Sequence, residues 1–371
     1  METAGLTEPE RQAFRLQLLS WFRLNARDLP WRRTRDPYCI WVSEVMLQQT
    51  RVATVVDRYT EFIQRFPSLV SLALAKEDEI LALWSGLGYY RRARMLHSAA
   101  QLLVNEHGGS LPRSSLELRR LPGVGDYTAA AIASIAYGEA VAVIDGNVER
   151  VLMRLLGKAA TTTSRGRLAA RLKEAASELL DPQAPGIFNQ AMMELGAMVC
   201  LPQIPLCGEC PVYDFCQTRG VHPVRPRKQM ASHKTQYALV KKPLKKGGRQ
   251  VAVLLVQRPP DASQMPGMWE LPALADEACA EARMGEPVLR IRHAITQTNF
   301  YVQVFSVDAE RFRSHTALSD GDHHDWVAAG KLIEIPLTGL ARKILMRLDV
   351  LAKPRHVRQG KALPGAEDAF L

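Results

Sequence analysis

Leu121-Pro122-Gly123-Val124-Gly125-Asp126-Tyr127-Thr128-Ala129 is a Pro-Gly turn that runs into an alanine-rich segment, Ala129 to Ala136. Glycines at 123 and 125 let backbone N–H groups approach an oxygen anion, and the N-terminus of the helix that follows adds positive potential. Gly123, Val124 and Gly125 therefore read as a phosphate cradle, although the same turn also serves as a plain connector between helices. The surrounding sequence is helical. Apolar residues recur at three- and four-residue spacing in Phe14, Leu18, Leu19 and Phe22, and again in Val52, Val55, Val56, Tyr59, Phe62, Ile63 and Phe66. Short loops rich in Gly and Pro punctuate these runs, at Phe66-Pro67-Ser68, Gly86-Leu87-Gly88 and His107-Gly108-Gly109. No long alternating strand pattern interrupts them, so residues 1–216 are expected to form an all-α domain.

Two carboxylates stand out against apolar neighbours. Asp145 follows the turn by twenty residues, in Val143-Ile144-Asp145-Gly146-Asn147. It suits a helix N-cap, and it also suits stabilisation of a positive sugar, since a glycosidic bond breaks through an oxocarbenium-like state. Glu44 sits in Trp41-Val42-Ser43-Glu44-Val45-Met46-Leu47-Gln48-Gln49-Thr50. A glutamate in a helix most often faces solvent; burial among these neighbours would instead raise its pKa and keep a proton available near neutral pH. Cys200, Cys207, Cys210 and Cys216 form a C-x6-C-x2-C-x5-C cluster within 17 residues. Four thiolates on a tight loop hold an iron–sulfur cluster or a structural zinc, and spacing alone leaves the two open. Cys39 and Cys279 stand alone and read as small core residues.

The hairpin string L-P-G-V-G-x-Y-T-A, followed at a distance by the cysteine loop, resembles the endonuclease III superfamily of helix–hairpin–helix DNA glycosylases, whose loop holds a [4Fe–4S] cluster. Within that superfamily, W-V-S-E-V-M-L-Q-Q-T resembles the signature of the MutY family of adenine DNA glycosylases. The resemblance implies base-excision repair of adenine mispaired with 8-oxoguanine or G in double-stranded DNA, by a monomer. It implies that Glu44 is the general acid that protonates adenine, at N7 in the family's mechanism, and that Asp145 is the catalytic aspartate, with Asn147 holding its geometry. The superfamily's bifunctional lyases carry a Schiff-base lysine where this chain has Tyr127, so β-elimination is not expected. Gly86-Leu87-Gly88-Tyr89-Tyr90 looks like the family's minor-groove wedge, with Leu87 and Tyr89 on DNA. Gln49 matches the residue that fills the stack when adenine flips out. Arg27, Trp31, Arg32 and Gln190 match positions lining the adenine pocket. A thymine–guanine mismatch glycosylase of the same superfamily is the nearest rival, and a non-enzymatic iron–sulfur DNA-binding protein the more distant one.

The texture changes after the cysteines. Residues 217–249 hold ten basic residues and no acidic one, which accounts for the whole formal net charge of +10. Residues 217–236 therefore read as a basic linker, and the ten basic residues of 217–249 are expected to supply much of the salt-dependent affinity for DNA. Residues 237–352 read as a smaller α+β domain, with strands at Val251–Val256 and Phe300–Val307 and a helix over Leu340–Leu348; residues 353–371 read as a loose tail. Gly267-Met268-Trp269-Glu270-Leu271-Pro272 resembles the G-x-W-E-F-P string of the Nudix-like domain with which MutY proteins read 8-oxoguanine. No Nudix box of closely spaced glutamates is present in residues 237–352, so nucleotide hydrolysis is not expected. Thr296 matches the hydroxyl of the family's Phe-Ser-His lesion-reading loop, while Ile295 and Gln297 depart from it.

Composition narrows the classes further. The chain of 371 residues is 47% hydrophobic and 23% charged, ordinary for a globular protein and too apolar for a disordered one. The start, Met1 to Phe14, contains Glu2, Glu8 and Glu10 without an apolar core, unlike a signal peptide. The longest apolar run, Ala129 to Ile144, is broken by Glu139 and falls short of a membrane span. The expected location is the reducing cytoplasm, on the nucleoid of a bacterium, with no membrane partner.

Overall fold

A computed structural model describes residues 6–157, 165–220, 230–245, 250–274, 285–295, 298–309, 312 and 323–352. Among the described residues, eleven α-helices precede the cysteine loop: α1 (Glu8–Asn25), α2 (Pro37–Leu47), α3 (Val52–Arg65), α4 (Leu69–Ala73), α5 (Glu77–Trp84), α6 (Arg91–Glu106), α7 (Ser115–Leu118), α8 (Asp126–Tyr137), α9 (Gly146–Leu155), α10 (Arg165–Leu179) and α11 (Pro185–Met198). Among the described residues up to 220 there is no strand, as the spacing predicts.

Local chemistry sets where the helices carrying the site begin. Asp36 caps α2 by accepting from the Tyr38 N–H at 2.8 Å, and Pro37 occupies the first turn, where its missing N–H costs nothing. Eight of the eleven residues of α2 are buried, Glu44 among them. Gly123 at the hairpin has φ +76, and a Cβ there would lie 2.7 Å from Met95 Cβ, so both backbone and packing demand glycine. Two apolar cores result. One gathers α2 to α8; the other joins α1, α9, α10 and α11 to Val212, with Cys200, Cys210 and Cys216 packed against it.

Beyond the cysteine loop lies a mixed sheet in the order β3-β2-β1-β5-β4, with β6 pairing β2. The strands are β1 (Ala231–Pro243), β2 (Val251–Gln257), β3 (Trp269–Glu270), β4 (Leu289–Ile295), β5 (Thr298–Asp308) and β6 (His324–Ala328); helix α12 (Gly339–Arg347) covers one face. The expected strands at 251–256 and 300–307 and the helix over 340–348 correspond to β2, β5 and α12. β1 begins six residues before Tyr237, inside the stretch expected as linker. Its first half is polar and exposed, which hides its strand character, but Ala231 to Lys241 runs in unbroken parallel register with Thr298 to Asp308. Arg225, Arg227 and Lys228 of the linker lie outside the described residues, as do Thr296 and Cys279.

The sheet region is joined to the helices by a plug and a clamp. Met268 is fully buried and belongs to the first helical core, a burial worth about 1.5–3 kcal/mol for a side chain of this size. Its neighbour Trp269 pairs through its backbone with Pro336 and Thr338. Between those two, the Leu337 carbonyl accepts from Ser85 Oγ at 3.0 Å and from Tyr90 Oη at 3.1 Å. The two donors flank Gly86–Tyr89, so one carbonyl of the sheet region fixes both ends of the expected wedge.

Candidate active site

Glu44, Tyr127, Asp145 and Asn147 line a single pocket of about 180 Å³, a size that suits one heterocyclic base. Arg27, Trp31, Arg32 and Gln190 line it as well, so the four expected catalytic residues and the four expected pocket residues come together from α2, α8, α9, α11 and the segment after α1. The lining includes no lysine among the described residues.

Glu44 is 5% exposed. Burial raises its pKa, and the Asp145 charge adds to that; the Tyr127 hydroxyl and Arg32 pull the other way, and the balance leaves it pushed up to about 7. Tyr127 donates to Glu44 Oε2 at 2.5 Å. The same carboxylate and its own burial hold the Tyr127 hydroxyl protonated, well above the usual phenol range. The residue standing in the lyase position thus orients the candidate acid.

Asp145 caps α9. Its Oδ1 accepts from the N–H groups of Asn147 (2.9 Å) and Val148 (2.7 Å), and its Oδ2 accepts from Asn147 Nδ2 at 2.8 Å. The capping and site readings of this residue therefore coexist: the cap fixes the carboxylate at the pocket wall. Asn147 is held in turn by Arg150, whose Nη2 donates to Asn147 Oδ1 at 3.0 Å while its Nε donates to the Cys200 carbonyl at 2.8 Å. Gly196 of α11 makes room for this arrangement, since a Cβ there would lie 2.6 Å from Asn147 Cβ.

Arg27 and Arg32 do not simply face an empty pocket. Both clamp Glu194 on α11, Arg27 through Nη2 at 2.6 Å and Arg32 through Nη2 at 2.8 Å. Burial alone would raise the Glu194 pKa, but the two guanidinium groups outweigh it and hold the carboxylate at about 2. Trp31 is buried, its ring set edge-on to Tyr59.

Gln49 and Tyr89 are exposed, and both have left-handed backbone (φ 56 and φ 48). Such strain in non-glycine residues costs about 1–3 kcal/mol each and clusters at functional sites. Leu87 differs from expectation: it is buried in the first core, and its carbonyl accepts from Thr50 and Arg92. Val124 differs likewise, with its side chain buried and its N–H bonded to the Leu121 carbonyl. Gly125 caps α8 without a side chain, so the amides of the first turn of that helix are what the hairpin offers an anion.

Cys200, Cys207, Cys210 and Cys216 line one small cavity together with Arg154, Tyr213 and Arg219, and Arg154 Nη1 donates to Cys200 Sγ at 3.2 Å. Among the described residues, no three His, Cys, Asp or Glu side chains form a group fit to grip a single metal ion.

Residues 42–178, which contain Glu44, the hairpin and Asp145, match the family model of the HhH-GPD superfamily base excision DNA repair proteins. A solved structure of a thermostable thymine-DNA glycosylase is 31% identical and superposes with a TM-score of 0.52, covering 57% of this chain and 97% of that one. The chain belongs to the HhH-GPD superfamily. It is also 52% identical over 219 residues to the human adenine DNA glycosylase, covering 57% of this chain and 40% of the human protein. The adenine DNA glycosylase of Arabidopsis thaliana is 36% identical over 357 residues, which cover 84% of this chain and 53% of the plant protein. The chain thus spans about half or less of the length of these two relatives.

Two residues of this superfamily site escape sequence reading. Glu194 gives no signal apart from its place in a helix before the cysteines. Arg92 is hidden in a run of arginines, yet its Nη1 donates to the carbonyls of Val45, Met46 and Gln48 and its Nη2 to those of Leu87 and Gly88. It staples the C-terminal end of the Glu44 helix to the wedge. Burial lowers its pKa to about 10, so it stays charged at neutral pH.

One consequence concerns pH. If Glu44 acts as an acid, the single-turnover rate falls as pH rises through about 7. Tyr127→Phe removes the hydrogen bond that lowers the Glu44 pKa, so the falling limb moves to higher pH. A limb that stays in place or moves down would contradict this account of Glu44.

Proposed function

We propose that this chain is a monofunctional adenine DNA glycosylase of base-excision repair, acting on adenine opposite 8-oxoguanine or G. The observation that carries the reading is the convergence of a buried, high-pKa Glu44 and a helix-capping Asp145 on one base-sized pocket. The similarity to adenine DNA glycosylases over more than half of the chain supports the choice of base.

The proposed reaction divides work between the carboxylates. Adenine is a poor leaving group as an anion, and protonation at N7 by Glu44 lets it leave neutral. Asp145, held by Asn147 and two backbone amides, faces the developing oxocarbenium ion and stabilises it or bonds transiently to it. Arg27, Arg32 and Gln190 hold the base, with Glu194 fixing the two arginines. The flipped adenine leaves a gap in the stack that Gln49 and Tyr89 fill, offsetting part of the few kcal/mol of unstacking. With Tyr127 in place of a Schiff-base lysine, and no lysine among the described pocket residues, the abasic sugar is left intact.

The cysteine loop fits a [4Fe–4S] cluster: four thiol ligands surround one cavity, with Arg154 and Arg219 beside them to offset thiolate charge. When bound, that group would stiffen the loop; the base-removal steps are carried by side chains of the pocket. Residues 1–216 would form the glycosylase domain, 217–236 a linker that gives way to β1 at Ala231, and 237–352 a Nudix-like domain that reads the base opposite the adenine; residues 353–371, expected as a tail, lie outside the described residues. The proposed enzyme works as a monomer on double-stranded DNA, in the cytoplasm on the nucleoid.

Under single-turnover conditions, a duplex with adenine opposite 8-oxoguanine is expected to release free adenine and to yield strand breaks only after alkali. Intact DNA binding without base release would refute the activity. Strand scission without alkali would refute the monofunctional assignment.

A further inference from the structure

A cleft of about 1070 Å³ separates the wedge from the sheet region; Gln49 and Tyr89 line it on one side, Ile295 and Arg342 on the other. Arg342 belongs to α12, is 3% exposed, and opens onto this cleft. Among the described residues its guanidinium has no partner at hydrogen-bond or ion-pair distance, although Glu61 and Tyr90 attract it from farther away. Charges of both signs stand near it: Arg58 repels it, and Glu61, which pairs with Arg58 at 2.6 Å, attracts it less strongly than Arg58 repels it. The Tyr90 hydroxyl, which donates to the Leu337 carbonyl, adds a weaker attraction.

A buried guanidinium with no counter-ion is costly, and proteins rarely hold one without a partner. Burial, with the Arg58 charge, lowers the Arg342 pKa to about 10, which still leaves it fully charged at neutral pH. A planar fork of N–H donors is suited to oxygen anions, and to phosphate above all. Arg58, with a half-buried salt bridge on the same wall, adds a second positive group.

We propose that Arg342, with Arg58 beside it, is a seat for one phosphate group, supplied by the DNA strand opposite the flipped base. This rests on the DNA-binding part of the proposed function and not on which base is removed. A strand that passed the exposed Tyr89 and Gln49 would run along this cleft, and one backbone phosphate would give Arg342 the close counter-ion that it lacks among the described residues. A free phosphate presents the same chemistry and is the other source to distinguish.

The full-length protein and its Arg342→Gln and Arg342→Lys variants would be compared for binding of a duplex with adenine opposite 8-oxoguanine, by fluorescence anisotropy from 50 to 200 mM salt. Arg342→Gln is expected to weaken binding about 5- to 20-fold and to reduce the log–log salt slope by about 1, the signature of one lost phosphate contact. Arg342→Lys should keep most of the slope. The thermal midpoint of Arg342→Gln without DNA should not fall, because an unpaired buried charge has been removed. Inorganic phosphate that raises the wild-type midpoint, but not that of Arg342→Gln, would assign the seat to a free phosphate. An unchanged slope with no phosphate response, or a lowered midpoint with an unchanged slope, would overturn the seat. Because the readout is binding, a protein that binds DNA yet releases no adenine would refute the activity and leave the seat standing.

Discussion

Glu44→Gln is expected to cut single-turnover adenine release by about 10³-fold, within the range ascribed to a positioned general acid, while duplex affinity changes little. Glutamine keeps the shape of the side chain and can still accept from the Tyr127 hydroxyl, but it has no acidic proton to give. The same substitution carries a stability signature that a spectator residue would lack. With its folded pKa pushed up to about 7 from an ordinary 4.5, Glu44 binds a proton more tightly in the native state than in the unfolded chain. Its contribution to stability is therefore complete below about pH 4.5 and lost as pH rises through about 7. Relative to wild type, Glu44→Gln should gain stability with rising pH, by up to about 3 kcal/mol above pH 7. Denaturant melts at pH 5 and pH 8 measure this difference. A constant offset between the two proteins would mean that Glu44 is not titrating in the folded state, and the acid role would fall with it.

Asp145→Asn is expected to lower the rate by about 10² to 10³-fold or more, the scale of losing a preorganised electrostatic partner to a developing charge. Its structural cost is smaller. Asparagine still caps α9 through its oxygen, so the cap itself loses only a few tenths of a kcal/mol. The new amide would meet Asn147 Nδ2 donor to donor, which forces Asn147 to turn and disturbs its bond from Arg150. A stability loss of about 1–2 kcal/mol follows from one spoiled hydrogen-bond chain. Measured together, a rate loss of several orders with a small shift in the melt separates the two jobs of Asp145. Loss of rate in proportion to loss of folded protein would leave only the cap.

The parts of the site that sequence reading reached are those in which residue type and local pattern carry the message. Glu44 is flanked by Trp41, Val45 and Leu47, but a helical glutamate in such a pattern more often faces solvent, and it is the resemblance of the whole string that points to its burial on α2. Asp145 before Gly146 signals a cap, and four cysteines in 17 residues announce a common cavity. What it missed depends on backbone carbonyls that fold brings near. Arg92 is one arginine among several until Val45, Met46 and Gln48 present their carbonyls to it. Leu337 contributes through an oxygen that every residue has, and Met268 looks like an ordinary sheet residue until it enters the helical core. Leu87 and Val124 mislead in the opposite sense, because a glycine-rich loop implies exposure while their side chains complete the core beneath it. The family resemblance puts Arg27 and Arg32 at the pocket, but their common anchor, Glu194, lies more than 160 residues away in the chain.

The central claim is that Glu44 and Asp145 serve an adenine pocket and not the thymine site implied by the solved neighbour. One experiment addresses it directly: equimolar duplexes carrying A or T opposite 8-oxoguanine, and A or T opposite G, incubated with excess wild-type protein and scored for the free base released. The account predicts adenine from both A-containing duplexes and no thymine. Release of thymine from the T–G duplex at a rate equal to or above that of adenine would contradict it.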